Sequence, residues 1–125
     1  MGLDLTVCLI SYPNTWWWLG NNRLSFDRCY YLFEQIMNRG RQEPEDKIEQ
    51  VCQPKPLPPD VKFDWYGDEG IEEEKTDPYG DPLTFCYAHE FNEIKTDENI
   101  GPWNNAILIF LKSLPPNTPV VLWWH

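Results

Sequence analysis

The stretch LDLTVCLI, residues 3 to 10, is typical of a β-strand at the start of the chain. Its apolar residues Leu3, Leu5, Val7 and Leu9 alternate along one face, and towards its end the apolar character extends to both faces. A half-buried strand alternates in this way, whereas a strand covered on both sides is apolar throughout. The sequence therefore predicts an opening strand that becomes more central in its sheet along its length.

The last residues of the chain carry a second strand signal. The run VVLWWH, residues 120 to 125, consists mainly of β-branched and aromatic residues and follows the turn-forming sequence PPNTP. We therefore predict a terminal strand that is docked in the sheet, so that both ends of the chain belong to the folded body.

Two segments inside the chain have the apolar spacing of amphipathic helices. The first begins with Ser25 as its cap, repeats apolar residues three and four positions apart, and ends at Gly40. The second begins at Asp81 and Pro82, which suit the cap and the first turn. Its predicted apolar stripe consists of Leu83, Cys86, Tyr87, Phe91 and Ile94.

A third helix is predicted from Pro102 onward, and it is expected to be the most enclosed of the three. Leu108 and Ile109 add apolar residues beside its main stripe, which indicates burial on more than one side. The residues expected to face inward are Trp103, Ala106, Ile107, Phe110, Leu111 and Leu114.

A β-hairpin is predicted before the second helix. The segment VKFDWY, residues 61 to 66, alternates apolar with polar residues, and GDEG, residues 67 to 70, provides a reversal into a second arm over residues 71 to 76. That arm is too strongly charged for the middle of a sheet, so we expect it to be a protected edge. The proline-rich residues 41 to 60 are predicted to form a surface excursion.

These elements predict an α+β protein with a small mixed or antiparallel sheet and about three helices packed on one face. A chain of 125 residues with 15% aromatic residues suits a single globular domain over residues 1 to 125. The longest apolar run has six residues, where a membrane span needs about 20. The start of the chain lacks a basic, hydrophobic leader pattern, and the four cysteines lack disulfide or metal-site spacing, so we expect a cytoplasmic protein with free thiols.

The opening residues Met1-Gly2-Leu3-Asp4-Leu5-Thr6-Val7 resemble the start of a group of small uncharacterised bacterial proteins that begin with MGLD and continue with alternating β-forming residues. The resemblance covers these seven residues. It implies no activity, cofactor or site.

The uneven distribution of charge is the most informative feature for function. Residues 43 to 98 hold 17 of the 20 acidic residues but only 5 of the 10 basic residues. Within this block, residues 60 to 81 carry nine carboxylates against Lys62 and Lys75, with Trp65, Tyr66 and Tyr79 among them. Such a surface repels nucleic acids and anionic membranes, and it attracts a basic protein.

The leading hypothesis is therefore a non-enzymatic, inhibitor-like binding protein that engages a basic surface of a protein partner. Small acidic inhibitors of nucleic-acid-processing enzymes, such as immunity, antitoxin and phage counter-defence proteins, share this charge and size. The predicted partner-binding residues are Asp64, Trp65, Tyr66, Asp68, Glu69, Glu72, Glu73, Glu74, Asp77 and Tyr79. The alternative for these acids is that they only solvate an edge hairpin and a loop.

Two other classes of function remain open at the level of the sequence. A small enzyme would use carboxylates, or Cys86 and His89, in a cleft between the hairpin and the second helix. A buried Cys86 beside an exposed His89 is the structural alternative for that pair, and we predict no catalytic residue, no metal ligand and no cofactor. A subunit of a larger assembly would expose an apolar patch that includes the run of tryptophans at residues 16 to 18.

Overall fold

The computed structural model of the protein describes residues 3–9, 23–38, 48–59, 64–67, 70–73 and 75–125, and for 64–67 and 70–73 it describes the backbone. Five of its strands are β1 (Leu5–Leu9), β2 (Arg23–Ser25), β3 (Lys55–Pro56), β6 (Thr84–Tyr87) and β7 (Pro119–Trp124). They form one antiparallel sheet in the order β2-β1-β7-β6-β3. Strands β4 (Asp64–Gly67) and β5 (Gly70–Glu73) form a separate two-stranded sheet.

The terminal strand β7 lies at the centre of the five-stranded sheet. It pairs with β1 over five positions, from Leu5 opposite Trp124 to Leu9 opposite Val120. On its other side it pairs with β6, where Thr84 lies opposite Leu122. The prediction of a docked terminal strand is therefore confirmed, and the two ends of the chain lie side by side in the sheet.

Within the described residues, three helices pack on one face of this sheet, so the fold is α+β as predicted. They are α1 (Tyr30–Ile36), a 3₁₀ helix (Ala88–Glu93) and α2 (Pro102–Ser113). Phe33 of α1 meets the ring of Trp124 edge to face, with ring centroids 5.7 Å apart. Residues Phe91 and Leu108 of the other two helices are fully buried in the same core cluster.

The opposite face of the sheet is also buried where β1, β7 and β6 adjoin. Cys8 and Val121 are completely inaccessible to solvent there, and they form a second cluster with Leu83 and Phe85. This explains why the opening strand is apolar on both faces near its end.

The prediction of the second helix is wrong over the first half of that segment. Thr84–Tyr87 forms strand β6, and only the following residues, Ala88–Glu93, are helical, as a 3₁₀ helix. Apolar residues at 83, 85 and 87 have the period of a strand, while 83, 86 and 87 fit a helix. The backbone of β7 offers β6 a full set of hydrogen bonds, and this pairing outweighs the helical spacing.

The first predicted helix is shorter than expected, and Ser25 does not cap it. Ser25 is the last residue of β2, and α1 begins only at Tyr30. The backbone N–H of Phe26 donates to the carbonyl of Leu5 at 3.0 Å, so the chain is still bonded to β1 at this point. Tertiary hydrogen bonds therefore keep the sequence before Tyr30 extended.

Part of the proline-rich region joins the body of the protein. The N–H groups of Val51 and Cys52 donate to the carbonyl of Gln35, at 2.8 and 3.2 Å. Cys52 is buried in the main core, and Lys55–Pro56 forms the edge strand β3. Prolines at 54 and 56 suit this edge because an edge strand has one side that makes no ladder bonds.

Among the residues that the structure describes, no helix combines the length and the apolar character that crossing a bilayer requires. The longest of these helices, α2, has 12 residues.

Candidate functional site

The acidic segment predicted from sequence folds as the β4–β5 hairpin. Its register places Asp64 opposite Glu73, Trp65 opposite Glu72, and Tyr66 opposite Ile71. The hairpin thus brings five of the predicted partner-binding residues into two short paired strands. Three other members of that set, Asp68, Glu69 and Glu74, lie outside the described residues.

Asp77 follows the hairpin and organises the next turn. Its carboxylate Oδ1 accepts hydrogen bonds from the backbone N–H groups of Tyr79 at 2.9 Å and Asp81 at 3.1 Å. The backbone of Asp77 and Asp81 closes the same turn, and Gly80 has the positive φ of 86° that this turn requires. Asp77 is buried, and its carboxylate binds the backbone of its own turn. Tyr79 is exposed at the tip of this turn.

Two of the described basic side chains are paired with acids outside the hairpin. Arg28 donates to both carboxylate oxygens of Asp4, at 3.2 and 2.8 Å, and this bonding lowers the pKa of Asp4. Lys55 lies 3.4 Å from Oε2 of Glu90. These pairs lie at β1 and β3, and neither pair includes a residue of β4 or β5.

Glu90 anchors a polar cluster at the sheet edge formed by β3. Its carboxylate accepts hydrogen bonds from the backbone N–H groups of Tyr87 at 2.6 Å and Gln53 at 2.8 Å. Lys55 extends over the ring of Tyr87, 5.2 Å from its centroid. The partners of Glu90 are therefore structural: they join the 3₁₀ helix to the residues that lead into β3.

The Cys86 and His89 pair considered from sequence does not form a reactive site. Cys86 is fully buried, whereas His89 is exposed and stacks on Tyr87 with ring centroids 5.8 Å apart. Hydrogen bonding to Cys52 and burial raise the pKa of the Cys86 thiol, which disfavours the nucleophilic thiolate. The buried cysteine beside an exposed histidine is the alternative that the structure supports.

A shallow, open depression lies at the start of α2, away from the hairpin in sequence. Its lining consists of Thr96, Asp97, Glu98, Gly101, Pro102 and Asn105. Over the described parts of the chain, no group of three or more His, Cys, Asp or Glu residues is arranged to hold a metal ion.

Helix α2 has the predicted position, but its buried face only partly overlaps the predicted one. Asn104, Ile107, Leu108 and Leu111 face the core. Three of its large apolar residues are exposed instead: Trp103 by 52%, Ile109 by 57% and Phe110 by 44%. The prediction that Trp103, Ala106 and Phe110 point inward is therefore wrong, whereas Ile107 and Leu111 are buried as predicted. The helix is apolar around most of its circumference, so the sequence alone does not identify the buried side.

The chain matches no protein-family model, no curated protein and no solved structure in comparisons with known proteins.

Proposed function

We propose that this protein is a non-enzymatic, inhibitor-like binding protein whose acidic hairpin engages a basic surface of a protein partner. The class of partner that fits this chemistry is a nucleic-acid-processing enzyme, whose substrate site is itself basic. The acidic hairpin is defined as residues 64 to 73, which comprise β4, β5 and the two residues that connect them. The observation that carries the proposal is the register that sets acidic and aromatic residues side by side on it.

Electrostatics supplies the first argument. Asp64 and Glu73 occupy opposite positions of the hairpin, and like charges directly opposite one another destabilise a strand pair. A cationic surface placed against the hairpin relieves this repulsion. The net charge of −10 adds a long-range field that steers a basic protein toward it.

Aromatic residues supply the second argument. Trp65 lies opposite Glu72, and Tyr66 follows it on the same strand. Binding energy at protein interfaces concentrates in Trp, Tyr and Arg. The hairpin therefore combines groups that attract a basic partner with groups that anchor it.

Two matched triple variants test the proposal. In the first, Asp64, Glu72 and Glu73 are changed to lysine. In the second, three exposed acids outside the hairpin, Asp27, Glu49 and Glu93, are changed to lysine, so that both proteins carry the same net charge. Wild type and both variants are used to capture partners from the native cell, at low and at high salt.

The expected result is capture of a basic protein by wild type and by the second variant, and its loss with the hairpin variant. High salt is expected to weaken capture, because exposed charges are screened within about 10 Å at 0.1 M salt. The captured enzyme is then assayed for loss of activity when the purified protein is added. Undiminished capture by the hairpin variant contradicts the proposal.

One alternative retains structural support. A subunit of a larger assembly exposes an apolar surface, and the outer side of α2 is such a surface. The tryptophan run expected to belong to that surface, residues 16 to 18, lies outside the described residues.

A further inference from the structure

We propose that the outer face of α2 is a self-association surface and that a second copy of this chain covers it, with the two α2 helices antiparallel about a two-fold axis at Ala106. The outer face of α2 is defined by Trp103, Ala106, Ile109, Phe110 and Ser113. This inference is independent of the acidic hairpin.

The first argument is the continuity of the exposed apolar residues. Positions three and seven residues after Trp103 lie on the same side of a helix, so Trp103, Ala106 and Phe110 form one row, with Ile109 beside it. All four are exposed. A contiguous apolar patch of this kind on a monomer marks an interaction site.

The second argument is that the patch is already organised. The indole Nε1 of Trp103 donates to the backbone carbonyl of Ser25 at 2.8 Å, which holds the ring against the end of β2. Ser113 Oγ donates to the carbonyl of Ile109, so its hydroxyl is satisfied within the helix. Side chains that are already held in the monomer lose little conformational freedom when the surface is covered. Polar atoms that are already bonded also lose no partner.

The third argument is steric self-complementarity. A two-fold interface pairs residue i of one copy with j of the other, and j with i. With the axis at Ala106, the small side chains of the two alanines meet at the centre and allow the helices to approach closely. Trp103 of each copy is then level with Ile109 of the other along the helix axis, because Trp103 lies three residues before Ala106 and Ile109 three residues after it.

Charge provides the argument for a second copy over a foreign helix. Helix α2 contains no acidic residue, and its single charge is Lys112 in the last turn. Asp97 and Glu98 lie just before its first turn, and both are exposed. Antiparallel pairing brings Lys112 of each copy toward the acids of the other. Opposite charges therefore face each other at both ends of the interface. Because α2 itself carries no acidic side chain, two copies can approach along this face without repulsion between carboxylates of α2.

The first experiment is sedimentation of the purified protein over a range of concentrations. Wild type is expected to form a dimer, and Phe110→Glu is expected to lose it. The control is Lys75→Glu, since Lys75 is an exposed lysine outside α2 and outside the loop that precedes it. Lys112→Glu is expected to raise the dissociation constant by up to about tenfold, because two symmetry-related surface pairs are lost. Adding Glu98→Lys to Lys112→Glu is expected to restore the dissociation constant of wild type, because the charge pair is re-formed with its signs exchanged.

The second experiment keeps the test independent of folding defects. In a Cys29→Ser background, Ala106→Cys is expected to cross-link two copies under mild oxidation, because residues on a two-fold axis meet their own equivalents. Asn105→Cys, one position away on another side of the helix, is expected to dimerise without forming the cross-link. The hairpin triple variant is expected to dimerise like wild type, so failure of one proposal leaves the other standing.

A wild-type protein that remains monomeric at every concentration overturns this inference. Equal cross-linking of the cysteines at 105 and 106 also overturns it. A monomer that binds a different protein through Trp103 and Phe110 shows that the occupant is foreign, and it overturns the second copy as well.

Discussion

The side chain of Asn104 on α2 bonds to both backbone groups of Asp27, which lies 77 residues earlier in the chain. Its Oδ1 accepts from the Asp27 N–H at 2.7 Å, and its Nδ2 donates to the Asp27 carbonyl at 2.9 Å. The amide thus replaces a strand partner at the point where the chain leaves β2 and turns toward α1. Because Asn104 is buried, it also sets which side of α2 faces the core.

The first prediction concerns this contact. Asn104→Leu keeps a side chain of similar size but leaves the N–H and carbonyl of Asp27 without their partner. We expect it to lower the free energy of unfolding by about 2–4 kcal/mol, measured by urea denaturation. Asn105→Leu at the neighbouring exposed position is the control, and we expect it to change stability by less than about 0.5 kcal/mol. Equal effects of the two changes contradict the role assigned to Asn104.

The second prediction concerns Gln35, which connects α1 to the segment after the 3₁₀ helix. Its Nε2 donates to the carbonyls of Tyr31 and Lys95, both at 3.1 Å, and its Oε1 accepts from the Lys95 N–H at 2.7 Å. Gln35→Leu is expected to destabilise the protein by about 2–4 kcal/mol, because it removes three buried hydrogen bonds. Gln53→Leu, at an exposed position, provides the matched comparison in thermal unfolding. A Gln35→Leu protein as stable as this comparison shows that the bonds are dispensable.

The third prediction is a pH dependence at Asp4. Hydrogen bonding to Arg28 lowers the pKa of Asp4 in the folded protein. The unfolded state therefore binds a proton at higher pH, and the stabilisation is complete above the unfolded pKa of about 4 and disappears as pH falls through the lowered folded value. Asp4→Asn is expected to be less stable than wild type at pH 6 and to converge with it at low pH, measured by urea denaturation across that range.

Arg28→Gln is the control for this pH dependence. It leaves the carboxylate of Asp4 in place but removes its donor, so the same low-pH loss of stability is expected to vanish. If Arg28→Gln retains the wild-type pH profile, then Arg28 is not the cause.

The fourth prediction concerns the cysteines. Burial raises the pKa of Cys8 to about 12, and Cys86 is also buried with a raised pKa, so both thiols stay protonated and inaccessible in the folded protein. Cys52 is buried, and Cys29 is the partly exposed one among the four. We expect one fast-reacting thiol with a colourimetric thiol reagent at pH 8 and four in denaturant. Cys29→Ser is expected to remove the fast reaction, and a fast reaction that persists in this variant contradicts the assignment.

The strands at the two ends of the chain were predictable because their side chains repeat every two residues or are apolar throughout, and little else accommodates β-branched and aromatic runs. The hairpin was predictable for a related reason. The sequence GDEG at 67 to 70 indicates a reversal, and the structure pairs the glycines at its two ends, 67 and 70, with each other.

The start of the first helix and the nature of the second were not predictable from local sequence. Ser25 is a good helix cap by type, yet it lies in β2, and its hydroxyl is 2.7 Å from that of Thr6 across the strands. Residues 84 to 87 fit a strand and a helix equally by spacing. In both places the outcome depends on hydrogen bonds to a strand that is distant in sequence, and local propensity does not contain that information.

The sequence by itself determined the class of fold, the concentration of acids in the middle of the chain and the two strands at its ends, because these follow from composition and from short-range periodicity. Only the tertiary structure decided that Asp77 is used inside a turn, that Cys86 is buried away from His89, and that α2 turns Trp103 and Phe110 outward. These positions depend on which buried polar groups find a hydrogen-bond partner inside the protein. The amide of Asn104 has one at Asp27, and α2 is rotated accordingly.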